Sequence, residues 1–464
     1  MVEITKSSSA VDSVRGSSIF HDMHHQSQPI AWLEQFVNDI DARSSNVPIH
    51  PVIKSLQDLI ESRTELRMWA SVMFQEVPNK NPYNNQHNKR TKIKGAFTHT
   101  PVRGYRHMID LLAVIVAEVG PPYALTVPAF GVMGLPFQAV VDWPMGTPSG
   151  HAFFLDTQVN AKLKDILDAW RDNVLTTSKS LAVVTTAPGC WLSPESVAAF
   201  ERDANLDSKQ SFSFEQLFAC DPYADPVHWG FKSWDDFFVR RFRDIDALRP
   251  VSHADESTWI ANACEALPVA IKLKVKRYDE FWLKGTNYSI ADLLGHHELA
   301  DNFVGGTIYQ GVLRTTSYHR WHAPVSGHVV FAQVINGAYF SERSTNGLGS
   351  EPIGPPTYDQ VYLGHVATRA LVFIQADEPI GLMCFIAIGI ADVSSCEIAA
   401  RFSGNWPQPI TKGEEMGMFH YGGSSHCLVF RKDLHLVFMQ EAIPGSGSLC
   451  VPVRGSLAFA AASS

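Results

Sequence analysis

Apolar residues in the first part of the chain recur at helical spacing. In Pro51–Gln75, Ile53, Leu56 and Ile60 fall three and four apart, the repeat of one helix face. Tyr105–Gly120 carries Met108, Leu111, Leu112, Ile115 and Val119 on one face, and Gly120-Pro121-Pro122 stops it. Asn160–Leu175 repeats the arrangement with Leu163, Ile166, Leu167, Trp170 and Val174. Residues 1–30 read as a polar, disordered tail in which His21, His24 and His25 are solvated, and a polar basic loop lies between Asn79 and Pro101. Past about residue 260 the pattern changes to short apolar runs cut by Gly, Pro and Asn. Gly306–Val312, His328–Val334, Val361–Phe373, Leu382–Ile390, Cys427–Phe430 and Leu434–Phe438 read as strands. Asn336–Pro356, with its repeated Gly, Ser and Pro, reads as a long pocket-shaping loop. The pattern predicts an α+β fold, with a helical region over residues 31–225 and a mainly β core over 226–464.

Composition narrows the class. Hydrophobic residues make up 45% and charged residues 18% of the 464, enough for a sizeable core and outside the disordered range. A net charge of −9 argues against a nucleic-acid partner, which would need a basic face. Seven widely spaced cysteines without a C-x-x-C suit a reducing compartment better than a disulfide framework. The N-terminus lacks the apolar core of a signal peptide, and the longest apolar stretch, Gly381–Ile390, is too short to span a bilayer. The expectation is a cytoplasmic protein without stable membrane insertion.

Two segments invite chemistry. Gly422-Gly423-Ser424-Ser425, between apolar flanks, reads on its own as a hairpin or bulge. A serine hydroxyl, however, lies close to the carbonyl before it, and attack there gives an ester by an N-to-O acyl shift. That step needs an unusual backbone, which glycine tolerates, an unhindered carbonyl and a base. Candidate bases lie in Ser317-Tyr318-His319-Arg320-Trp321-His322-Ala323-Pro324. Two histidines at this spacing serve a metal, a proton relay or the core, and no third ligand cluster accompanies them, so no metal site is expected.

Taken with three further segments, these resemble the phosphatidylserine decarboxylase family. His319-Arg320-Trp321-His322-x-Pro324 resembles its Y-H-R-x-H-x-P signature, and Gly422–Ser425 its G-S-T-type cleavage motif. Phe237-Phe238-Val239-Arg240-Arg241-Phe242-Arg243 with Arg249-Pro250, Lys284-Gly285-x-x-Tyr288-Ser289 and Lys412-Gly413-x-Glu415-Met416-Gly417-x-Phe419 match in order. Ser233–Phe238, Tyr318–Pro324 and Gly417–Ser425 resemble more closely the fungal tryptophan decarboxylases of the psilocybin type, which act on the free amino acid.

The resemblance implies a catalytic domain over 226–464 and a chain that cuts itself between Gly423 and Ser424. His322 would act as base and Ser424 as nucleophile. Ester formation, elimination to a dehydroalanine and hydrolysis would leave chains 1–423 and 424–464, associated with one another. Ser424 would become a covalent pyruvoyl group, an electron sink for decarboxylating an amine-bearing substrate. His319 would protonate the carbon that loses carbon dioxide, its ordinary pKa range suiting a donor near neutrality. In one respect the chain departs from the family: Asn262-Ala263-Cys264-Glu265 stands where the family has P-A-D-G, so Cys264 replaces the aspartate that orients the base. Glu265 is the favoured substitute, with Asp255 the nearest aspartate. Trp321, Tyr339 and Phe340 are candidates for an apolar substrate wall. The expected reaction is decarboxylation of a free aromatic amino acid, foremost L-tryptophan to tryptamine. Phosphatidylserine decarboxylation and a non-catalytic binding role are the competing readings.

Overall fold

The computed structural model describes residues 27–43, 49–77, 101–123, 136–205, 211–279, 287–341, 357–390, 395–420, 422–446 and 450–461. The N-terminal part is a helical layer: α1 (Ser27–Asp41), α2 (Pro51–Ser62), α3 (Thr64–Val72), α4 (Tyr105–Glu118), α5 (Pro136–Met145), α6 (Pro148–Leu155), α7 (Thr157–Trp170) and α8 (Pro194–Ala204). Helix α4 is its centre. Every residue from His107 to Val116 except Asp110 is buried, as an almost wholly apolar helix requires. Helix α7 starts where Asp156 accepts from the N–H groups of Gln158 and Val159, and it ends in a π turn over Arg171–Leu175.

Short helices α9 (Phe214–Leu217), α10 (Trp234–Phe238), α11 (Ile245–Leu248), α12 (Ile290–Leu293) and α13 (Thr357–Val366) punctuate the second half. Its strands are β1 (Trp259–Ala261), β2 (Leu267–Leu273), β3 (Thr307–Leu313), β4 (Arg320–His322), β5 (Gly327–Ile335), β6 (Arg369–Ala376) and β7 (Leu382–Ile390). They continue with β8 (Ser395–Ile398), β9 (Gln408–Ile410), β10 (Glu415–His420), β11 (Gly423–Phe430), β12 (Leu436–Phe438) and β13 (Ser456–Ala460). Seven form an antiparallel sheet in the order β2-β3-β11-β7-β6-β5-β9, so β11 is internal, flanked by β3 and β7. Smaller sheets, β4-β10-β8 and β1-β13-β12, pack against it.

Strand β11 has both faces covered. Leu428 and Phe430 enter the larger core, and Cys427 and Val429 enter a second one with Ile308, Ile386 and Ile388. Such burial explains why β3, β7 and β11 read as continuous apolar runs rather than as alternating ones.

Three expectations change. The Pro51–Gln75 pattern is two helices, because Arg63 is extended (φ −111°, ψ 119°) between them. Val361–Phe373 is not one strand: its front half is α13, and β6 begins at Arg369. A short apolar run fits either period, and here Val361 faces the second core from a helix whose His365 hydrogen-bonds Ser289. Helix α1 begins at Ser27, inside the span read as tail. The basic loop 79–101 and His21, His24 and His25 lie almost wholly outside the described residues.

Candidate active site

Ser424 heads β11, opposite Leu313 of β3 and Gly389 of β7. It is 1% exposed, and its hydroxyl has no hydrogen-bond partner among the described residues. A buried donor without a partner is costly, so such a group marks a place where something happens. The chain reaches it from β10 through Gly422, whose φ of +118° lies in the range that favours glycine.

The next residue is pinned. Ser425 Oγ accepts from Gln310 Nε2 (3.0 Å), and Gln310 Oε1 accepts from the Tyr288 hydroxyl (2.6 Å). The Tyr288-Ser289 half of one sequence motif thus acts on the residue beside Ser424, through a glutamine that sequence reasoning missed. Lys284 and Gly285 lie outside the described residues.

His319 leaves the β3–β4 loop beside the strand that leads to Ser424: its carbonyl accepts from Phe419 N–H (2.9 Å). The imidazole stacks on Phe238 (centroids 3.9 Å apart, planes at 24°), and its Nδ1 has no partner. Arg240 braces the loop by donating to the carbonyls of Thr316 (2.7 Å) and Ser317 (2.9 Å). From α8, Asp203 holds the same loop through Thr316 and Arg314. The Phe-Phe-Val-Arg-Arg motif and the helical layer therefore share one task, positioning His319. Burial, and then the Arg240 charge, hold the His319 pKa well below the ordinary imidazole value. The ring is neutral at neutral pH, not the near-neutral titrator expected of a free histidine.

His322 faces the other end of β10, opposite Glu415. Its Nδ1 lies 2.8 Å from the Gly413 carbonyl, which can only accept, and 3.3 Å from Arg454 Nε, which can only donate; the shorter contact, with Arg454 closer to the carbonyl than to the ring, assigns the proton to Nδ1 and leaves Nε2 bare. Tyr318 Oη lies 3.5 Å from Nε2, and Arg454 Nε shares the Gly413 carbonyl at 2.9 Å. Burial pushes the His322 pKa down to about 4. Gly413 is fixed here by a φ of +83° and by Val251, which a Cβ would meet at 2.3 Å.

The expected partners of His322 are not formed. No hydrogen bond joins it to Ser424. Ala263 does run beside it, its carbonyl accepting from His322 N–H (2.9 Å), which sets Cys264 one residue from that contact. Burial raises the Cys264 thiol pKa well above its ordinary value, which leaves it neutral. Glu265, the favoured substitute, points elsewhere: both its oxygens accept from Arg249 (2.8 and 2.9 Å) in a buried pair. Asp255 is exposed. The nearest acceptor to His322 Nδ1 is the Gly413 carbonyl rather than a carboxylate. Arg249→Ala would leave Glu265 buried without its cation, at a cost of about 3–5 kcal/mol. A fall in thermal midpoint is the expected readout.

Trp321 is core. It packs on Phe385 (5.3 Å) and Phe419 (5.2 Å), and Gly417 makes room for it, since a Cβ there would meet its ring at 2.7 Å. Tyr339 and Phe340 lie at the seam with the helical layer. Tyr339 N–H donates to Asn160 Oδ1 of α7 (3.1 Å), and Phe340 meets Phe154 of α6 edge-on (6.2 Å). The seam adjoins the Ser424 end of the sheet: Thr368 binds Gly337 N–H through its hydroxyl (3.0 Å) and Gly389 N–H through its carbonyl (2.8 Å). His426, two residues past Ser424 on the same sheet face, was not singled out by sequence. It is fully buried with neither ring nitrogen hydrogen-bonded, and burial drives its pKa to about 3.

Comparison with known proteins identifies the family. Two family models, each described as phosphatidylserine decarboxylase, match residues 50–200 and 234–446. The chain is 38% identical over 322 residues to decarboxylase iboD of Amanita muscaria, covering 67% of this chain and 88% of the relative. It is 35% identical to an L-tryptophan decarboxylase of Psilocybe cubensis over 68% of this chain and 72% of the relative. A phosphatidylserine decarboxylase proenzyme of Schizosaccharomyces pombe is 27% identical over 44% of this chain and 19% of its own length.

Proposed function

The chain belongs to the phosphatidylserine decarboxylase family, and from that premise we propose that it is a self-cleaving, pyruvoyl-dependent decarboxylase of a free aromatic L-amino acid, foremost L-tryptophan. The observation that carries the reading is Ser424, a buried hydroxyl without a partner, held directly after Gly422-Gly423 at the head of an internal strand.

In maturation, Ser424 Oγ attacks the Gly423 carbonyl, and the bare Nε2 of His322 is the base assigned to the hydroxyl proton. The amide C–N bond gives way to an ester. Removal of the Cα proton of residue 424 expels the ester oxygen as the Gly423 carboxylate and leaves a dehydroalanine; its β-carbon takes up a proton, and water then replaces the nitrogen, which departs as ammonia. The small chain, 424–464, stays bound because β11 is hydrogen-bonded on both edges to strands of the large one.

The pyruvoyl group at position 424 would supply an electron sink for the pair left behind by carbon dioxide. The chain's own residues do the rest. A neutral His319 accepts the proton that the substrate's ammonium must shed and returns it to the α-carbon, so no proton is gained or lost in the exchange. Phe238 keeps the ring in plane, and Arg240 opposes a lasting charge on it. Tyr339 and Phe340, at the seam that adjoins the Ser424 end of the sheet, are assigned to the substrate's side chain; Trp321, packed on Phe385 and Phe419, is left to the core.

The aromatic substrate is supported by the names of the Psilocybe relatives. Among the described residues no helix is long and apolar enough to cross a membrane. Purified protein supplied separately with L-tryptophan, L-phenylalanine, L-tyrosine and phosphatidylserine vesicles is expected to release carbon dioxide fastest from L-tryptophan. Release from the vesicles alone would assign the lipid activity instead.

A further inference from the structure

Two stretches that carry the closer fungal resemblance, Ser233–Phe238 and Gly417–Ser425, each contain a titratable residue with no part in the reaction above: Asp235 and His420. The fold brings them together. Oδ1 and Oδ2 of Asp235, in the first turn of α10, lie 2.9 and 3.0 Å from His420 Nδ1. Glu397 Oε2, on β8, lies 3.0 Å from His420 Nε2. A ring with carboxylate oxygens on both nitrogens donates from both and is an imidazolium. The Asp235 contact is sheltered, while Glu397 is at the rim, with side-chain exposures of 12% and 54%.

His420 is the last residue of β10, and the chain runs from it through Gly422 to the Gly423–Ser424 bond. Helix α10 carries both Asp235, which holds His420, and Phe238, which holds His319. One short helix thus links the histidine assigned to turnover and the strand end that presents the scissile bond.

We propose that the Asp235–His420–Glu397 clamp positions the Gly422-Gly423-Ser424 turn for self-cleavage and afterwards retains the new C-terminus of the large chain. The inference rests on the self-cleavage reading above. His420 touches no reacting atom and is a positioning residue.

The sign of the pH dependence follows from the clamp. Burial works against the charge of His420, but the hydrogen bond and charge of Asp235, then those of Glu397, outweigh it, so its pKa is raised. A raised pKa means that the clamp is complete below the ordinary imidazole value of about 6.5 and is lost as pH rises through the folded-state value. Among the described residues the charges in contact with the ring are Asp235 from α10 and Glu397 from β8.

The test uses the full chain made by cell-free synthesis and shifted into buffers from about pH 6 to about pH 9, spanning the histidine range. Fragments 1–423 and 424–464 are followed over time by mass. Wild-type cleavage should slow on the alkaline side. His420→Gln should cleave about tenfold more slowly at neutral pH, the loss of one charge-assisted contact, and show no alkaline limb. Glu397→Gln, which keeps the Asp235 contact, should slow less and keep the limb. Asp235→Asn serves if His420→Gln does not fold, as judged by thermal unfolding, and should match its defect. A folded His420→Gln or Asp235→Asn variant that cleaves at the wild-type rate with the wild-type pH profile overturns the proposal alone. A wild-type chain that stays whole at every pH removes the self-cleavage reading as well.

Discussion

Ser424→Ala is expected to leave the chain whole and to reduce decarboxylation by at least about 10⁴-fold, to background. The size of the effect follows from the double duty assigned to one hydroxyl, as the nucleophile that opens the backbone and the precursor of the electron sink. The loss should not trace to folding. Removing a buried hydroxyl that has no hydrogen-bond partner takes nothing away from the native state, so thermal stability should be unchanged or slightly higher. An unstable Ser424→Ala protein would mean that this hydroxyl is structural. A variant that still releases carbon dioxide at the wild-type rate would place the chemistry elsewhere.

His319→Asn is expected to separate the two stages. Cleavage should proceed, because His322 is the base assigned to it, while turnover of the matured protein falls by about 10²–10⁴-fold, the usual worth of a positioned proton carrier. The planar amide retains a surface for Phe238, so the loop held by Arg240 and Asp203 should keep its place. Since burial and Arg240 hold the His319 pKa far below neutrality, wild-type turnover should show no inflection from this residue between about pH 6 and about pH 8. If His319→Asn blocks cleavage while His322→Ala permits it, the two histidines exchange roles. Their places give that outcome a physical route, since His319 lies opposite Phe419, nearer along β10 to the cut than His322 opposite Glu415.

Much of the second half was legible because its strands are apolar on both faces and bounded by glycines: Thr307–Leu313, Gly327–Ile335 and Leu382–Ile390 sit within a residue or two of the runs that predict them. Helices α4 and α7 were legible for the complementary reason, an apolar stripe on one face, ended in α4 by Gly-Pro-Pro; the Asp156 cap that starts α7 three residues ahead of the predicted span was not read. Val361–Val366 was not, since six apolar-rich residues suit either period and only packing against the second core decides between them. At the site, ordered motifs identified Ser424, His319 and His322, yet they carried no information about contacts between distant segments. The Glu265 assignment failed on this point: one extra methylene counts for little when Arg249 offers a bidentate ion pair on the other side. Gln310, Gly413 and the Asp235–His420 pair were missed likewise, because each acts through a partner more than a hundred residues away or through a backbone carbonyl that no pattern marks.

The most direct test of the central claim is the intact mass of the purified wild-type protein under denaturing conditions. The account predicts two chains split between Gly423 and Ser424, with the smaller one lighter by one ammonia than a fragment beginning in unmodified serine. That deficit separates self-cleavage to a pyruvoyl group from a nick by a contaminating protease. A single full-length chain in a preparation that releases carbon dioxide, or a small fragment with an intact N-terminal serine, would contradict it.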